Sequence, residues 1–453
     1  MTKPLIIIQG PIATRSGYGN HTRDLATSLI RANKYDVKII SLPWGVTPMN
    51  ALEADNKDHL EILKRVAKQG QQLNTPDIFI QVSVPNEFCM SADGKQVIRP
   101  GKFNIGVTAG IETTLVSHEF IEGCNRMDMV ITTSEHSKNG FITCKYDKMD
   151  KETKEKIGEL KIEKPIEVLF EGADLNIYKK TPKIHETVLE ELKDIKDDFC
   201  YLFVGHWLQG DLGQDRKDVG MMIKTFCESF RRKSARNRPG LIIKTSHATF
   251  SIIDRTEITK KIQSIVLPYG DNIPNIYLLH GDLTDAEMNS LYNHSKVKAM
   301  VSFTKGEGFG RPLLEFSLTG KPIIASNWSG HIDFLHKDYC TLLPGELTDV
   351  HASAQDRFVL KESKWFTVNY AYASRVLQDV MKNYKNYLQK SRKQGHYSKM
   401  NFSLDHMAEK FCTIIDKAID TIPKPVKLQL PKLKRVDGST PKVKLPKLKK
   451  VDS

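Results

Sequence analysis

Residues 305–315 read KGEGFGRPLLE and follow the apolar run VKAMVS at 297–302. Pro312 suits the first turn of a helix, where its missing N–H would have no partner within the helix. The pattern therefore predicts a buried strand, a glycine-rich loop and then a helix over 311–319. The free N–H groups and partial positive charge at the start of such a helix suit a diphosphate.

Two carboxylates, Glu307 and Glu315, flank the glycines of this loop. A carboxylate does not suit a phosphate neighbour, so each is predicted to accept hydrogen bonds from hydroxyl groups. A sugar and a ribose would supply such hydroxyls on either side of a diphosphate. The alternative is a tight strand-to-helix turn with two solvated carboxylates, because glycine-rich loops are common.

Short apolar runs alternate with helical patterns along the chain of 453 residues. The predicted strands are 5–9, 36–41, 77–83, 103–107 and 128–133, then 200–204, 241–245, 276–279, 297–302 and 322–326. Predicted helices between them include 21–33, 218–232, 284–293 and 311–319. This alternation predicts doubly wound α/β structure, and ten strands favour two sheets over one.

Four units are predicted along the chain. They are an N-terminal domain at 1–180, a second α/β domain at 181–366, helices at 367–420 and a basic tail at 421–453. The hinge between the two α/β domains is placed near 172–185, where a charged stretch follows a strand pattern.

The positive charge is unevenly distributed. The formal net charge is +13, and residues 424–453 hold ten Lys/Arg and two Asp, a net of +8. The other residues hold 57 Lys/Arg and 52 Asp/Glu, a net of +5, so the body is mildly basic. The tail repeats LPKLKRVD at 430–437 as LPKLKKVD at 445–452, and its prolines and lysines predict disorder.

Seven scattered cysteines without a C-x-x-C pair predict a reducing compartment and neither a disulfide framework nor a zinc cluster. The opening MTKPLIII before Gly10 reads as a strand and not as a signal peptide. No run approaches the ~20 apolar residues of a membrane span. A cytoplasmic location is therefore predicted, with no membrane span.

The stretch GEGFGRPLLEFSLTGKPIIAS at 306–326 resembles the E-x7-E signature of retaining, family 4-like glycosyltransferases of GT-B fold. The resemblance implies two Rossmann-like domains that face a cleft. It also implies transfer of a sugar, with retention of anomeric configuration, from a UDP- or GDP-sugar donor. Relatives do not generally need a metal, so no metal site and no permanently bound cofactor are expected.

The resemblance assigns roles to positions within the signature. The first glutamate contacts the donor sugar in that family and the second contacts the nucleotide ribose, which implies these roles for Glu307 and Glu315. Backbone N–H groups after the first glutamate approach the diphosphate, which implies Gly308, Phe309 and Gly310.

The family usually carries Gly-Arg after the first strand of its second domain, with a lysine a few residues later. This implies that Arg216 and Lys217 neutralise the diphosphate, although an ordinary charged loop is the alternative. His206 stands in place of the usual arginine, and Lys244 is a candidate for the missing cation.

The loop GPIATRSGYGN at 10–20 resembles the glycine-rich loop that faces the diphosphate from the first domain. Gly17 and Gly19 are the candidate contacts, with Arg15 as a cation. Simple turn chemistry is the alternative, since glycine and serine favour turns.

Three further segments resemble family regions. Residues 106–137 resemble the region that lines the acceptor cleft and lies behind the sugar, where Glu112 is the candidate polar group. Ser134 is predicted to cap a helix, and His118 receives no catalytic role. The segment 168–178 resembles the hinge strand, with Glu171 in place of Asn. Leu283 is the candidate contact for the nucleobase.

The acceptor is open among a modified DNA base, a glycan and a protein, and the sequence predicts no oligomeric state. The tail resembles segments of proteins from large tailed bacteriophages, which would favour host cytoplasm and DNA bound through the lysines. A tail that only tethers or solubilises is the alternative. A non-catalytic nucleotide-sugar binder, a non-enzymatic nucleic-acid-binding protein, and an epimerase or phosphorylase of the same fold also stay open.

Overall fold

A computed structural model describes residues 3–68, 70–91, 93–150, 152–247 and 249–423 of this chain. The prediction for the basic tail at 424–453 concerns residues outside these ranges. All seven cysteines lie within them, and each has a free thiol. Within the described residues, no helix combines the length and the apolar character that crossing a membrane requires.

The N-terminal domain is built on a sheet of six parallel strands in the order β2-β1-β3-β4-β5-β8. Its elements are β1 (Leu5–Gly10), α1 (Gly17–Ala32), β2 (Asp36–Ser41), α2 (Lys57–Leu63), β3 (Ile78–Val82), β4 (Phe103–Thr108), α3 (His118–Asn125), β5 (Met129–Thr132), α4 (Glu135–Thr143), β6 (Tyr146–Met149), β7 (Lys156–Leu160) and β8 (Ile166–Val168). Strands β6 and β7 form a separate antiparallel hairpin, which the alternation pattern did not predict.

The second domain repeats this plan with six parallel strands in the order β11-β10-β9-β12-β13-β14. Its elements are α5 (Glu186–Glu191), β9 (Cys200–Val204), α6 (Val219–Phe230), β10 (Gly240–Lys244), α7 (Ile252–Val266), β11 (Ile276–Leu279), α8 (Asp285–Asn293), β12 (Val297–Ser302), α9 (Arg311–Ser317), β13 (Ile323–Ser326), β14 (Thr341–Leu343), β15 (Gly345–Asp349) and β16 (Lys364–Val368). Strands β15 and β16 form an antiparallel hairpin that was not predicted.

Each sheet is buried on both faces, as expected when helices cover parallel strands. In β9, Cys200 and Leu202 belong to one apolar cluster, whereas Tyr201 and Phe203 belong to another on the opposite face. The two doubly wound sheets confirm the predicted fold class.

Three helices end the described chain: α10 (Tyr370–Lys382), α11 (Tyr384–Asn401) and α12 (Leu404–Thr421). Helix α10 packs on α6 and α11 packs on α9, whereas α12 crosses back and packs on α1. The return passes the predicted hinge, where Leu404 N donates to Ala173 O at 2.8 Å. The three helices are therefore divided between the two domains.

Local capping sets the ends of two helices that border the cleft between the domains. Helix α1 begins at Gly17, four residues before the prediction, because the Ser16 hydroxyl caps it by accepting from Gly19 N. Ser134 caps α4 in the predicted way and accepts from Ser137 N.

Candidate functional site

A cavity of about 480 Å³ lies between the two domains. Its walls are the loops that follow β1, β4 and β5 on one side and those that follow β9, β10, β11 and β12 on the other. The carboxyl ends of both parallel sheets therefore face each other across this space, where α/β sheets usually bind ligands.

One end of the cavity holds four charged side chains around Glu307. The Lys217 ammonium pairs with Glu307 Oε1, and Arg216 Nη1 lies 3.5 Å from Glu307 Oε2. Arg216 Nη1 also lies 3.1 Å from Glu112 Oε1, which belongs to the other domain. Two cations and two carboxylates balance one another here, and Arg216 is one link between the domains.

These cations keep Glu307 ionised despite its burial. Burial by itself opposes ionisation, but Lys217 and Arg216 outweigh it and lower the pKa of Glu307 to about 2. Glu307 is 8% exposed and Glu315 is 5% exposed, so the alternative of two solvated carboxylates is wrong.

A second buried network fixes the loop that carries the two cations. Lys305 N donates to Arg216 O at 2.7 Å, and the Lys305 ammonium donates to Thr367 Oγ1 at 2.7 Å. Asp218 starts α6 with φ at +52° and accepts from Tyr370 OH at 2.7 Å. Because Lys305 and Asp218 are buried, these contacts hold the backbone of the loop in place, and a change of partner by Arg216 needs only its side chain to turn.

The other end of the cavity surrounds Glu315. Arg311 Nε donates to Glu315 Oε1 at 2.9 Å, and Tyr292 OH donates to Glu315 Oε2 at 3.0 Å. The same guanidinium pairs with Asp24 of α1 and lies 3.9 Å from Glu171 Oε2. One cation thus faces three carboxylates, two of them from outside the second domain.

The pKa values of Glu315 and Glu171 are raised, chiefly by burial. Burial raises the pKa of Glu315 to about 7, although Arg311 opposes the rise. Burial raises the pKa of Glu171 to about 8, with Asp24 and Glu315 adding to the effect and Arg311 opposing it. Close to neutral pH this end of the cavity therefore holds a proton that the Glu307 end does not hold.

The neutral ring of His21 also lies in this wall. Burial, and then Arg311, lower the pKa of His21 to about 3. Neither ring nitrogen has a hydrogen-bond partner among the described residues, and the ring lines the cavity. No sequence motif singles out His21, Arg311 or Asp24, because their roles depend on contacts between distant segments.

The glycine-rich loop after β12 brings Gly308, Phe309 and Gly310 to the cavity wall. A Cβ atom at Gly308 would lie 2.8 Å from Ala109 O of the first domain, so the two backbones approach closely there. Gly310 has φ at +96°, which only glycine adopts readily. Helix α9 then begins with Pro312 in its first turn, as predicted.

The two glycines of the loop after β1 differ in their surroundings. Gly17 lines the cavity and has open space where a Cβ would lie. Gly19 instead packs into its own loop, since a Cβ there would lie 2.2 Å from Thr14 O. Gly19 therefore supports the loop and does not line the cavity.

Arg15 lies away from the Glu307 end. Its Nε atom lies 2.7 Å from Asp282 Oδ2, and Nη2 lies 3.5 Å from Glu53 Oε1. Asp282 adjoins Leu283, and both line the cavity. Arg15 therefore bridges the domains at the Leu283 side, where its charge is already partnered.

His206 and Lys244 line the same cavity. Lys244 donates to Gly281 O at 2.7 Å and lies over the Phe250 ring at 5.2 Å from its centroid. The His206 ring is 3.2 Å from Ser246 Oγ. Burial lowers the pKa of Lys244 to about 8, with Asp282 opposing the shift.

Within the described ranges, no group of three or more His, Cys, Asp or Glu side chains is arranged to hold a metal ion. His118 is exposed at the start of α3 and does not line the cavity.

No protein-family model and no curated protein sequence matches this chain. Solved structures do match over most of its length. HepE from Anabaena, in complex with UDP and glucose, is 12% identical with a TM-score of 0.60, over 91% of this chain and 100% of that one. Sucrose-phosphate synthase from Thermosynechococcus elongatus is 11% identical with a TM-score of 0.61, over 92% and 100%.

WaaG, a glycosyltransferase of lipopolysaccharide biosynthesis, is 12% identical with a TM-score of 0.55, over 91% of this chain and 99% of that one. At such low identity these likenesses bear on the fold alone. Together with the two parallel sheets they establish the GT-B fold, the architecture that these neighbours share.

Proposed function

We propose that this chain is a glycosyltransferase that moves a sugar, with retention of anomeric configuration, from a nucleotide-sugar donor to an acceptor. One observation carries the proposal. A single cavity between two GT-B domains places the Lys217–Glu307–Arg216 cluster at one end and the Glu315 carboxylate at the other, with glycine backbone between them.

In this proposal the cations exchange partners when the donor binds. Arg216 and Lys217 turn from Glu307 to the diphosphate, which carries more charge than a carboxylate and accepts several charge-assisted hydrogen bonds. Glu307 then accepts from hydroxyl groups of the donor sugar, with Glu112 beside it. Glu315, held by Arg311 and Tyr292, accepts from the ribose.

The chemical step breaks the bond between the anomeric carbon and the diphosphate oxygen and forms a bond from that carbon to an acceptor oxygen. The acceptor proton passes to the leaving phosphate oxygen on the same face of the sugar. Arg216 and Lys217 stabilise the charge that develops on the diphosphate, which is the main contribution of the protein to rate.

A UDP-sugar is the first donor to test, because HepE shares the fold and binds UDP and glucose. A GDP-sugar is the second. Leu283, Lys244 and Phe250 would lie beside the base, whereas His206 would lie near the diphosphate as a neutral hydrogen-bonding group. Because Lys244 is bound to Gly281 O, it is not assigned to the diphosphate.

The acceptor side is assigned to the first domain. Trp44 stacks on Tyr18 with ring centroids 4.4 Å apart, and both rings line the cavity. Tyr18 OH accepts from Ala109 N at 3.1 Å, which places this pair close to the Glu112 loop. A flat aromatic surface suits a base or a sugar ring, so DNA with hydroxymethylated bases and glycans are tested before proteins.

The test is a donor screen with UDP-, GDP- and ADP-sugars, followed by mass spectrometry of hydrolysis products. Glu307→Gln serves as the comparison with reduced activity. The anomeric configuration of the transferred sugar is then read by NMR on whichever acceptor reacts. Retention is expected, and an inverted product would contradict the mechanism. Donor binding without any turnover would instead identify a non-catalytic relative.

Truncation of the tail is a second experiment, and its effects on donor hydrolysis and on transfer are measured separately. Removal of 424–453 is expected to leave donor hydrolysis unchanged, because no donor motif lies in that stretch of the sequence. Transfer to DNA should fall if the lysines deliver that acceptor, whereas transfer to a small glycan should not fall. Loss of hydrolysis itself would place the tail in the catalytic fold.

A further inference from the structure

Helix α11 concentrates the positive charge of the body. Its 18 residues include Lys385, Lys390, Arg392, Lys393 and Lys399 and no Asp or Glu. Residues 1–423 hold 57 Lys/Arg and 52 Asp/Glu, a net of +5. The five cations of α11 equal that excess, so the rest of this body is electrically balanced.

Three of the five cations form a stripe on the solvent side of α11. Lys385, Arg392 and Lys399 are exposed and are spaced seven residues apart, so they share one face of the helix, with the exposed His396 ring between the last two. At 1.5 Å per residue, the stripe from Lys385 to Lys399 is about 21 Å long. The opposite face packs inward, where Ser391, Gln394 and Ser398 are buried.

The stripe is uncompensated by acidic neighbours. Within the described part of the chain, no carboxylate lies within 4.0 Å of the charged nitrogens of the five α11 cations. A positive potential of this kind attracts anions.

The chemistry of the exposed face distinguishes among polyanions. The structure describes every residue of α11. Among them, Met400 is the large apolar side chain that is exposed to solvent, whereas Tyr384, Tyr387 and Tyr397 are half-buried. Insertion into a lipid surface needs an apolar face, and binding of single strands relies on exposed aromatic rings. A straight line of lysine and arginine instead suits the phosphates of a duplex.

We propose that the α11 stripe is a binding surface for the phosphate backbone of duplex nucleic acid. About 21 Å of stripe covers roughly six base-pair steps of 3.4 Å. No α11 residue lines the donor cavity, so a bound duplex leaves that cavity accessible. The surface lies within the described fold, includes none of the tail lysines, and does not depend on the proposed sugar transfer.

The experiment uses the full-length chain and a 30-base-pair duplex in a fluorescence anisotropy titration over a salt series. The stripe variant is Lys385→Gln, Arg392→Gln and Lys399→Gln together. The matched control is Lys95→Gln, Lys161→Gln and Lys260→Gln, three exposed lysines on other elements that form no ion pair within the described ranges. Both variants lose three charges, and both keep the tail.

The stripe variant is expected to bind more weakly at low salt, and its slope of log affinity against log salt should fall by about 0.9 for each phosphate that the variant no longer neutralises. The control should keep the wild-type slope. Equal slopes for the two variants would overturn the proposal. Phosphatidylserine vesicles form a second arm, and loss of vesicle binding with unchanged duplex binding would also overturn it.

Folding and donor hydrolysis are measured on the same two variants. Both are expected to match wild type, because α11 does not reach the cavity. If the stripe variant hydrolyses the donor like wild type but shows a smaller slope of log affinity against log salt, duplex binding and sugar transfer use different surfaces. If no donor is hydrolysed by any version, the duplex result still tests the stripe independently.

Discussion

The two ends of the cavity hold the same kind of group in opposite surroundings. Glu307 and Glu315 are eight residues apart in one loop and helix, and both are buried. Glu307 shares its surroundings with two cations and one further carboxylate, whereas Glu315 shares one cation with two further carboxylates.

The difference shows that burial alone does not set the charge of these groups. Both carboxylates are desolvated, yet the pKa of Glu307 falls to about 2 and that of Glu315 rises to about 7. The cations that produce this contrast, Lys217 and Arg216 at one end and Arg311 at the other, belong to the second domain. The first domain contacts both ends through those arginines, since Glu112 pairs with Arg216 and Asp24 pairs with Arg311.

The largest expected effect is on the Glu307 end. Glu307→Gln should lower kcat about ten- to hundredfold, because a charged hydrogen-bond acceptor contributes about 1.5–3 kcal/mol. Steady-state kinetics on the donor that the screen identifies measures this. Glu61→Gln is the matched control, since Glu61 also pairs with two cations, Lys64 and Arg65, but on the surface. Wild-type kcat in Glu307→Gln would contradict the assignment.

The next largest effect is expected on the free energy of unfolding, through Glu171 at the Glu315 end of the cavity. The folded pKa of Glu171 is about 8, against about 4.3 when unfolded, so the native state binds the extra proton between these values. Its stabilising effect is complete below pH 4.3 and is lost as the pH rises through 8. Glu171→Gln mimics the protonated form and should remove that loss.

Urea unfolding at pH 5 and pH 9 tests this expectation. Glu171→Gln should resemble wild type at pH 5 and exceed it at pH 9 by more than about 1.4 kcal/mol, the equivalent of one pKa unit. Glu307→Gln should show the opposite sign, because Glu307 stabilises the native state above its unfolded pKa and loses that effect only towards pH 2. If the free energy of unfolding depended on pH in the same way in both variants, the two ends of the cavity would not differ in their electrostatics as proposed.

A smaller effect is expected for Glu315 on catalysis. Because its pKa is about 7, Glu315 is mostly protonated at pH 6 and mostly ionised at pH 8. Glu315→Gln should therefore differ little from wild type at pH 6 and raise the donor KM up to about tenfold at pH 8, since weaker binding in the ground state appears in KM. Donor KM at the two pH values measures this. An equal effect at both would show that Glu315 stays ionised.

The sequence predicted the parts of this arrangement that depend on local pattern. Periodicity located ten of the twelve strands of the two parallel sheets, and the glycines with Pro312 located the turn into α9. The contact of Arg311 with Asp24 joins residues 287 positions apart, so no local pattern reports it. Arg15 is predicted to face the diphosphate and does line the cavity, but no local pattern reports its ion pair with Asp282 of the second domain. The five cations of α11 equal the net charge of +5 of the body. A net charge, however, does not report that these cations lie on one helix.

The smallest expected effect concerns Lys244, a cation of the cavity wall that belongs neither to the Glu307 cluster nor to the Glu315 cluster. Lys244 donates to Gly281 O and lies over Phe250, so its ammonium is directed away from the Glu307 cluster. Lys244→Met should leave kcat unchanged and raise the donor KM about two- to threefold, because one partly offset hydrogen bond contributes about 0.5 kcal/mol, the low end of the usual range. Lys217→Met provides the comparison, and kcat should fall there. If Lys244→Met instead lowered kcat as much as Lys217→Met does, Lys244 would be the cation that replaces the arginine missing at His206. The leaving diphosphate would then extend towards the base side, and the boundary between the two ends of the cavity would have to move with it.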